Sequence, residues 1–172
     1  MKKPELLAPA GNMESLRAAV VAGCDAVYLG GYTFGARSYA GNFSDEEIIE
    51  AIQYCHLRKV KVYITVNTLI HEDKFDMCIS YIDFLHKNNV DAVIVQDLGI
   101  IELIKNLIPG LEVHASTQMT LSDYDCILWA VENNISRIVF PREISVDKIA
   151  EISKKLQESD INMELEVFGH GA

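Results

Sequence analysis

Length, composition and charge set the first limits on what this chain can be. It has 172 residues, of which 49% are hydrophobic and 23% charged, a mixture typical of a packed domain and too apolar for intrinsic disorder. The formal net charge of −10 disfavours non-specific binding of nucleic acid, because phosphate contacts need lysine and arginine. No apolar run approaches the roughly 20 residues of a membrane span, and no secretory apolar stretch follows Met1-Lys2-Lys3, so we expect a cytoplasmic protein without a membrane partner.

Along the chain, short β-rich runs alternate with helical patterns. Seven runs predict strands, at residues 6–8, 26–29, 62–66, 92–95, 113–115, 137–140 and 165–168. Helix-capping residues stand at Asn12, Ser44 and Ser145, each followed by apolar residues at helical spacing. The strands begin roughly every 20 to 35 residues, as right-handed β-α-β crossovers require. The sequence therefore predicts an α/β fold with six βα units and a seventh strand.

Two architectures share this alternation, a TIM-like (β/α) barrel and an open doubly wound sheet. The glycine-rich segment 30–35 lacks the spacing of a dinucleotide-binding motif, which argues against nucleotide binding. A closed barrel usually takes about 250 residues, and a seventh strand without a following helix would leave a parallel edge exposed. We therefore expect residues 1–172 to be one barrel domain that stops before its last βα units. The alternative is that a second copy of the chain covers the exposed edge.

Polar side chains follow the carboxyl ends of the predicted strands. In both architectures these ends lie on one face, so the side chains would converge on a common mouth. In chain order they are Arg37, Asn67, Asp97, His114, Gln118, Arg142, Glu143 and His170. Such a set predicts a small-molecule or catalytic site.

The residue types in this set indicate possible roles, and each has a structural alternative. Arg142 suits the binding of a carboxylate, Glu143 suits a general base, and Arg37 suits an anion clamp in a loop over the mouth. The alternatives are a core histidine for His114, a helix cap for Asp97, a strand-end hydrogen bond for Asn67, and exposed surface charges for Arg37, Arg142 and Glu143.

Two further chemistries have weaker support. A metal site built from His114, His170, Asp97 and Glu143 has permissible ligand types but no tight ligand spacing. A hydrolytic Ser116–His114–Asp97 set lacks the strained turn that exposes the nucleophile in hydrolases of this kind.

Many ordered motifs in these segments resemble the collagenase-like peptidase family U32. They are found at residues 4–12, 25–31, 34–37, 42–44, 66–68, 96–99, 114–118, 141–143 and 168–172. The resemblance implies a TIM-like barrel and a collagenase-like protease, which is a hydrolase. It also implies a second activity, because similar members are oxygen-independent hydroxylation proteins that act on tRNA uridine, ribosomal RNA or a quinone precursor.

The resemblance also implies site residues and cofactors. It places Asn67, Asp97, His114, Gln118, Arg142, Glu143 and His170 around the family cavity. We assign catalytic roles to His114, Glu143 and Asp97, and substrate binding to Asn67, Gln118, Arg142, Arg37 and His170. For RNA-directed members it implies an iron–sulfur cluster held by cysteines, with prephenate as the source of the hydroxyl group.

This sequence departs from the family pattern at its last residues. Gly169 stands where the family usually has valine, and the chain stops at Ala172, before the first cysteine of that motif. Its cysteines, Cys24, Cys55, Cys78 and Cys126, match no cluster position and are typical of reduced, buried thiols. We therefore expect no cluster in this chain, and a cluster with prephenate only in a longer parent protein.

Three functional hypotheses follow. In the first, the parent is an RNA hydroxylation enzyme, this segment binds a small anion in the barrel mouth, and other parts of the parent contact the RNA. In the second, the protein is a protease, in which a metal or the pair His114 and Glu143 activates water. In the third, the chain is a non-enzymatic subunit that folds with a partner over its last strand.

Overall fold

Strands and helices alternate in the computed structural model, which describes residues 3–36 and 42–169. The strands are β1 (Leu7–Pro9), β2 (Ala26–Gly30), β3 (Lys61–Val66), β4 (Ala92–Val95), β5 (Glu112–Ala115), β6 (Ile135–Val139) and β7 (Glu164–Glu166). The α-helices are α1 (Met13–Val21), α2 (Asp45–His56), α3 (Phe75–Lys87), α4 (Leu98–Leu107), α5 (Tyr124–Glu132) and α6 (Val146–Glu158). Single 3-10 turns occupy Glu72–Lys74 and Thr117–Met119.

The sheet has the order of a (β/α) barrel. Each strand pairs in parallel with the strand that follows it in the sequence, from β1 to β7. A doubly wound sheet would instead reverse its strand order at a switch point. The prediction of a TIM-like barrel with about seven parallel strands is therefore confirmed, and the doubly wound alternative is wrong.

Hydrogen bonds across the interior show that the sheet curls. In a flat sheet, β1 and β6 would lie five interstrand spacings of about 4.8 Å apart, which is about 24 Å. Yet Arg137 of β6 donates to Oε1 of Glu5, two residues before β1, at 2.8 Å. Tyr63 of β3 donates to the same oxygen, also at 2.8 Å. Strands β1, β3 and β6 therefore face a common interior.

Local sequence signals explain the helix boundaries. Asn12 and Ser44 form capping boxes at α1 and α2, and the Ser145 side chain accepts a hydrogen bond from the amide of Lys148 at α6. The strand ends were predicted less well: β7 ends at Glu166, not at residue 168. Its partner β6 ends at Val139, opposite Glu166, so no further pairing is available.

Side chains of alternate strand residues form two apolar layers. One side of the sheet packs against the helices, through residues such as Val27, Ile64 and Val93. On the interior side, Ala26, Tyr63, Ala92 and Ile94 form a smaller apolar cluster, against which Tyr28 packs. Ile94 and Tyr28 also line a cavity above this cluster, so the interior layer forms its floor. Within 3–36 and 42–169, no helix has the length and hydrophobicity of a membrane crossing.

Candidate functional site

A cavity of about 670 Å³ opens at the carboxyl ends of the strands. Its walls come from six strands (β1, β2, β3, β4, β6 and β7) and from loops that follow strands, including the loop after β5. Four of the predicted site residues line it: Asn67, Gln118, Arg142 and Glu143. The prediction that polar residues at the strand ends share one mouth is therefore confirmed for these four.

Asn67 connects the cavity wall to the loop that follows β2. Its Oδ1 accepts a hydrogen bond from the amide of Ala36 at 2.9 Å, and the hydroxyl of Thr68 donates to the carbonyl of Phe34 at 3.1 Å. A Cβ atom on Gly35, in the same loop, would lie only 3.3 Å from Oγ1 of Thr65, so the backbone passes close to β3. These contacts hold residues 34–36 close over the rim of the cavity. Asn67 therefore forms a structural hydrogen bond at the end of its strand and also lines the cavity.

Arg142 carries a positive charge into the cavity. Its guanidinium carbon lies 4.8 Å from the ring centroid of Phe168, which also lines the cavity. Within the described part of the chain, none of the ion pairs involves Arg142. A guanidinium that is packed on an aromatic ring and has no carboxylate partner can bind a carboxylate or phosphate group.

Asp97 was predicted to be catalytic, and the structure places it outside the cavity lining. One oxygen, Oδ1, accepts from the amide of Ile100 at 3.1 Å and so caps α4. The other, Oδ2, accepts from the amide of Ile70 at 3.1 Å. Both oxygens are thus occupied by backbone amides, which corrects the sequence-based placement in favour of the structural alternative.

This dual capping role predicts a stability effect for Asp97. The Asp97→Ala variant leaves the amides of Ile100 and Ile70 without their acceptor, and we expect a loss of about 1–2 kcal/mol in the free energy of unfolding. Asp97→Asn separates the two bonds, because an asparagine oxygen can still cap α4 but its amide nitrogen cannot accept from Ile70, so its loss should be smaller than that of Asp97→Ala. Urea unfolding followed by circular dichroism measures both variants. Equal stability of Asp97→Ala and wild type would contradict the capping role.

His114, the second predicted catalytic residue, also lies outside the cavity lining. It is on β5, only 1% exposed, with its ring edge against Tyr63 at a centroid distance of 4.7 Å. Among the residues the structure describes, neither ring nitrogen has a hydrogen-bond partner; the nearest carboxylate oxygen, of Glu112, is 3.8 Å from Nε2. Burial lowers its pKa to about 3, so the ring is neutral. The structure therefore corrects the placement of His114 to that of a core histidine.

The weaker alternatives also lack support in the geometry. The hydroxyl of Ser116 accepts from the amide of Gln118, and His114 donates to neither Ser116 nor Asp97, so the hydrolytic set is not formed. Within residues 3–36 and 42–169, no three His, Cys, Asp or Glu side chains are grouped closely enough for a metal ion. Two predicted binding residues, Arg37 and His170, lie outside the described residues.

The cysteines do not fit an iron–sulfur cluster. Cys24 follows α1, whereas Cys55, Cys78 and Cys126 lie on three different helices. Burial raises the pKa of Cys55 to about 11 and that of Cys78 to about 12, which keeps both thiols protonated. Cluster ligands are grouped thiolates, so the family's cluster has no ligand set among these four residues.

A group of charged residues that was not predicted from the sequence lies beneath the cavity. Arg137, with a side chain only 7% exposed, contacts carboxylates of Glu5, Glu164 and Glu166. Glu166 also lines the cavity. Charged residues inside strands were the available signal: Glu164 and Glu166 alternate with apolar residues, and Arg137 precedes the apolar pair Ile138 and Val139.

Two carboxyls of this group, Glu5 and Glu166, have pKa values shifted in opposite directions. Burial alone would raise the pKa of Glu5, but hydrogen bonds from Arg137 and Tyr63 lower it to about 2. At Glu166, burial outweighs the attraction of Arg137 and raises the pKa above its usual value. The carboxyl that faces the cavity is therefore the one that holds a proton more readily.

Comparison with known proteins agrees with this architecture. The model of peptidase family U32 matches residues 11–172. A solved U32 peptidase superimposes with a TM-score of 0.72 at 14% identity, covering 97% of this chain and 70% of the other. At this level of identity the likeness shows a shared fold.

The sequence relatives carry two kinds of name. The tRNA hydroxylation protein P1 of Bacillus subtilis is 42% identical over 99% of this chain and 39% of its own length. The 23S rRNA 5-hydroxycytidine C2501 synthase of Escherichia coli is 39% identical over 98% of this chain and 24% of its own length. A collagenase of Porphyromonas gingivalis is 33% identical over 98% of this chain and 42% of its own length. The chain thus spans less than half the length of these relatives, and it belongs to peptidase family U32.

Proposed function

We propose that the protein containing this chain hydroxylates RNA and that the cavity binds an anionic carboxylate, with prephenate as the candidate source of the hydroxyl group. Two relatives named for RNA hydroxylation, at 39–42% identity, support the reaction. The observation that carries the ligand class is Arg142, a cavity cation without a carboxylate partner among the described residues. Prephenate has two carboxylates, which suit a guanidinium.

The residues around Arg142 would orient such a ligand. Asn67 and Gln118 bring amide groups to the wall, and Glu143 follows Arg142 on the rim. The apolar floor formed by Tyr28 and Ile94 suits a carbon ring below the carboxylates. Arg142 would therefore hold the charged end of the ligand, and the amides would fix its hydroxyl or carboxylate oxygens.

RNA contact is assigned to other parts of the parent protein. The net charge of −10 gives this chain little attraction for phosphates, and the named relatives are more than twice as long as the matched region. We likewise place the iron–sulfur cluster implied by the family on cysteines that this chain lacks. The proposal includes a cytoplasmic location, where tRNA and assembled ribosomes are found.

Mass spectrometry of nucleosides tests this function. In the source organism, we expect deletion of the gene to remove a hydroxylated nucleoside from tRNA or ribosomal RNA, and the intact gene to restore it. A gene with Arg142→Gln should fail to restore it, whereas Arg17→Gln, a change in a surface ion pair with Glu50, should succeed. An unchanged nucleoside profile after deletion would overturn the proposal.

The second candidate is hydrolysis of peptides, and the relative named as a collagenase favours it. Glu143, one of two glutamates that line the cavity in the described part of the chain, would activate water for such a reaction. Incubation of the protein with gelatin tests it. Cleavage that Glu143→Gln abolishes would support the peptidase over the hydroxylation protein. A second copy covering the β7 edge stays a prediction, which light scattering of the purified chain would test.

A further inference from the structure

Glu166 joins the cavity to the buried charges beneath it. It is the last residue of β7, its side chain is 19% exposed, and it lines the cavity near Phe168. Its Oε2 lies 3.3 Å from Nη1 of Arg137. Charge-assisted hydrogen bonds are usually about 2.7–2.9 Å long, so this contact is a weak one. Glu166 is therefore a largely buried carboxyl with one long contact to a cation.

The charges around Arg137 do not balance. Its Nη1 donates to Glu5 at 2.8 Å and its Nε to Glu164 at 2.9 Å. Lys61 adds a second cation, 3.2 Å from Glu5. Two cations thus face three carboxylates, and one negative charge is in excess.

The excess charge is least stable on Glu166. Glu5 contacts both cations, Arg137 at 2.8 Å and Lys61 at 3.2 Å, and also accepts a hydrogen bond from Tyr63. Glu164 is 55% exposed, so water solvates its charge. Glu166 has neither advantage, because it is buried and its contact to Arg137 is long.

The other groups that face this region do not supply the missing charge. On β3, the Tyr63 hydroxyl donates to Glu5 and burial raises its pKa, so it stays neutral. On β5, His114 is neutral as well. In the loop after β6, Arg142 and Glu143 reach the cavity as one charge of each sign. Glu166 is thus the carboxyl in this region with the most to gain from a proton.

We propose that Glu166 exchanges a proton within the cavity: it takes up one proton when an anion binds beside it and releases that proton when the anion leaves. The ionised carboxylate would repel an incoming anion, whereas the neutral carboxyl donates a hydrogen bond to it. The proton comes from water or buffer: one O–H bond forms on the carboxylate and the bond to that proton breaks in the donor, so charge and atoms balance. The raised pKa of Glu166 agrees with this role. The inference rests on the proposed function in one respect, which is that the occupant is an anion.

Calorimetry with prephenate tests the coupling. The full chain is titrated at several pH values between about 5 and 8, each in two buffers with different ionisation enthalpies, and we expect net proton uptake of up to one proton per ligand. The affinity should then fall by up to tenfold per pH unit between the pKa of Glu166 in the free chain and its higher pKa in the complex. Binding to wild type without proton uptake would overturn the proposal.

Two variants assign the proton to Glu166. Glu166→Gln carries a neutral amide in place of the carboxyl, so we expect binding without proton uptake and with an affinity that no longer depends on pH. Glu164→Gln is the matched control, because Glu164 contacts the same Arg137 but is exposed and does not line the cavity; its proton uptake should match that of wild type. Equal uptake by Glu166→Gln and wild type would also overturn the proposal.

A measurement on the free wild-type chain separates this inference from the proposed ligand. Carbon-13 spectra of glutamate carboxyls, assigned through bonds to the backbone, report the titration of Glu166 whether or not prephenate binds or a variant folds. A Glu166 carboxyl that titrates above the ordinary 4.5 supports the proton-exchange role. Titration at or below that value overturns it, and failure of prephenate to bind would reject only the proposed ligand.

Discussion

Replacing Arg137 with glutamine should lower the free energy of unfolding by about 3–5 kcal/mol, the usual cost of removing one partner of a buried ion pair. The side chain is 7% exposed and contacts three carboxylates, on Glu5, Glu164 and Glu166. Without its charge, those carboxylates would repel one another inside the barrel. The contact with Glu5 also holds the segment before β1 against β6, so its loss removes a constraint on the curl of the sheet.

Urea unfolding followed by circular dichroism measures this loss. Arg17→Gln is the matched control, because Arg17 forms an ion pair with Glu50 in which both side chains are 54% exposed. Exposed pairs contribute about 0–1 kcal/mol, so the control should stay close to wild type. A loss below about 1 kcal/mol for Arg137→Gln would show that the interior charges do not stabilise the fold as described.

Replacing Arg142 with glutamine should weaken prephenate binding by about 10- to 100-fold, because a hydrogen bond to a charged group contributes roughly 1.5–3 kcal/mol. The side chain is exposed in the cavity and stacks on Phe168, so its loss should leave the fold intact. Calorimetry of the purified chain gives the affinity, and a thermal melt checks the fold.

Arg58→Gln provides the control for Arg142→Gln. The Arg58 guanidinium stacks on Tyr54, with 3.7 Å from its carbon to the ring centroid, and it does not line the cavity. Both variants thus remove one positive charge and one stacking contact from the surface, but only one removes a cation from the cavity. Equal affinities of the two variants would show that net charge, and not the position of Arg142, governs binding.

The sequence predicted the order of elements well because its local signals are strong. Capping residues such as Ser44 and Ser145 fix helix starts by hydrogen bonds within four residues, and apolar strands fix the parallel sheet. The lining by Asn67, Gln118, Arg142 and Glu143 followed from one further rule, that ligands bind at the carboxyl ends of strands.

The depth of a residue in the barrel could not be predicted from the sequence. His114 faces the interior but lies below the cavity, beside Tyr63, because the stagger of neighbouring strands sets its height. The β5–β6 pairing shifts its register between Val113 and His114, which strand patterns do not reveal. Similarly, the contact between Glu5 and Arg137 joins residues 132 positions apart, so only the curl of the sheet brings them together.

Asp97 shows a different limit of sequence analysis. A carboxylate after a strand has the same sequence pattern whether it faces a ligand or caps the next helix. In the structure its two oxygens accept from amides of Ile70 and Ile100, and these bonds turn the side chain away from the cavity. Glu166 shows the opposite case. Its position inside a predicted strand does not indicate a site residue, yet its side chain lines the cavity.

A crystal structure of the chain grown with prephenate is the most direct test that this cavity binds an anionic carboxylate. We expect a carboxylate of the ligand within hydrogen-bond distance of the Arg142 guanidinium, its ring over Tyr28 and Ile94, and its second polar end near Glu166. Prephenate bound elsewhere on the chain, or absent from the cavity at a saturating concentration, would contradict the account.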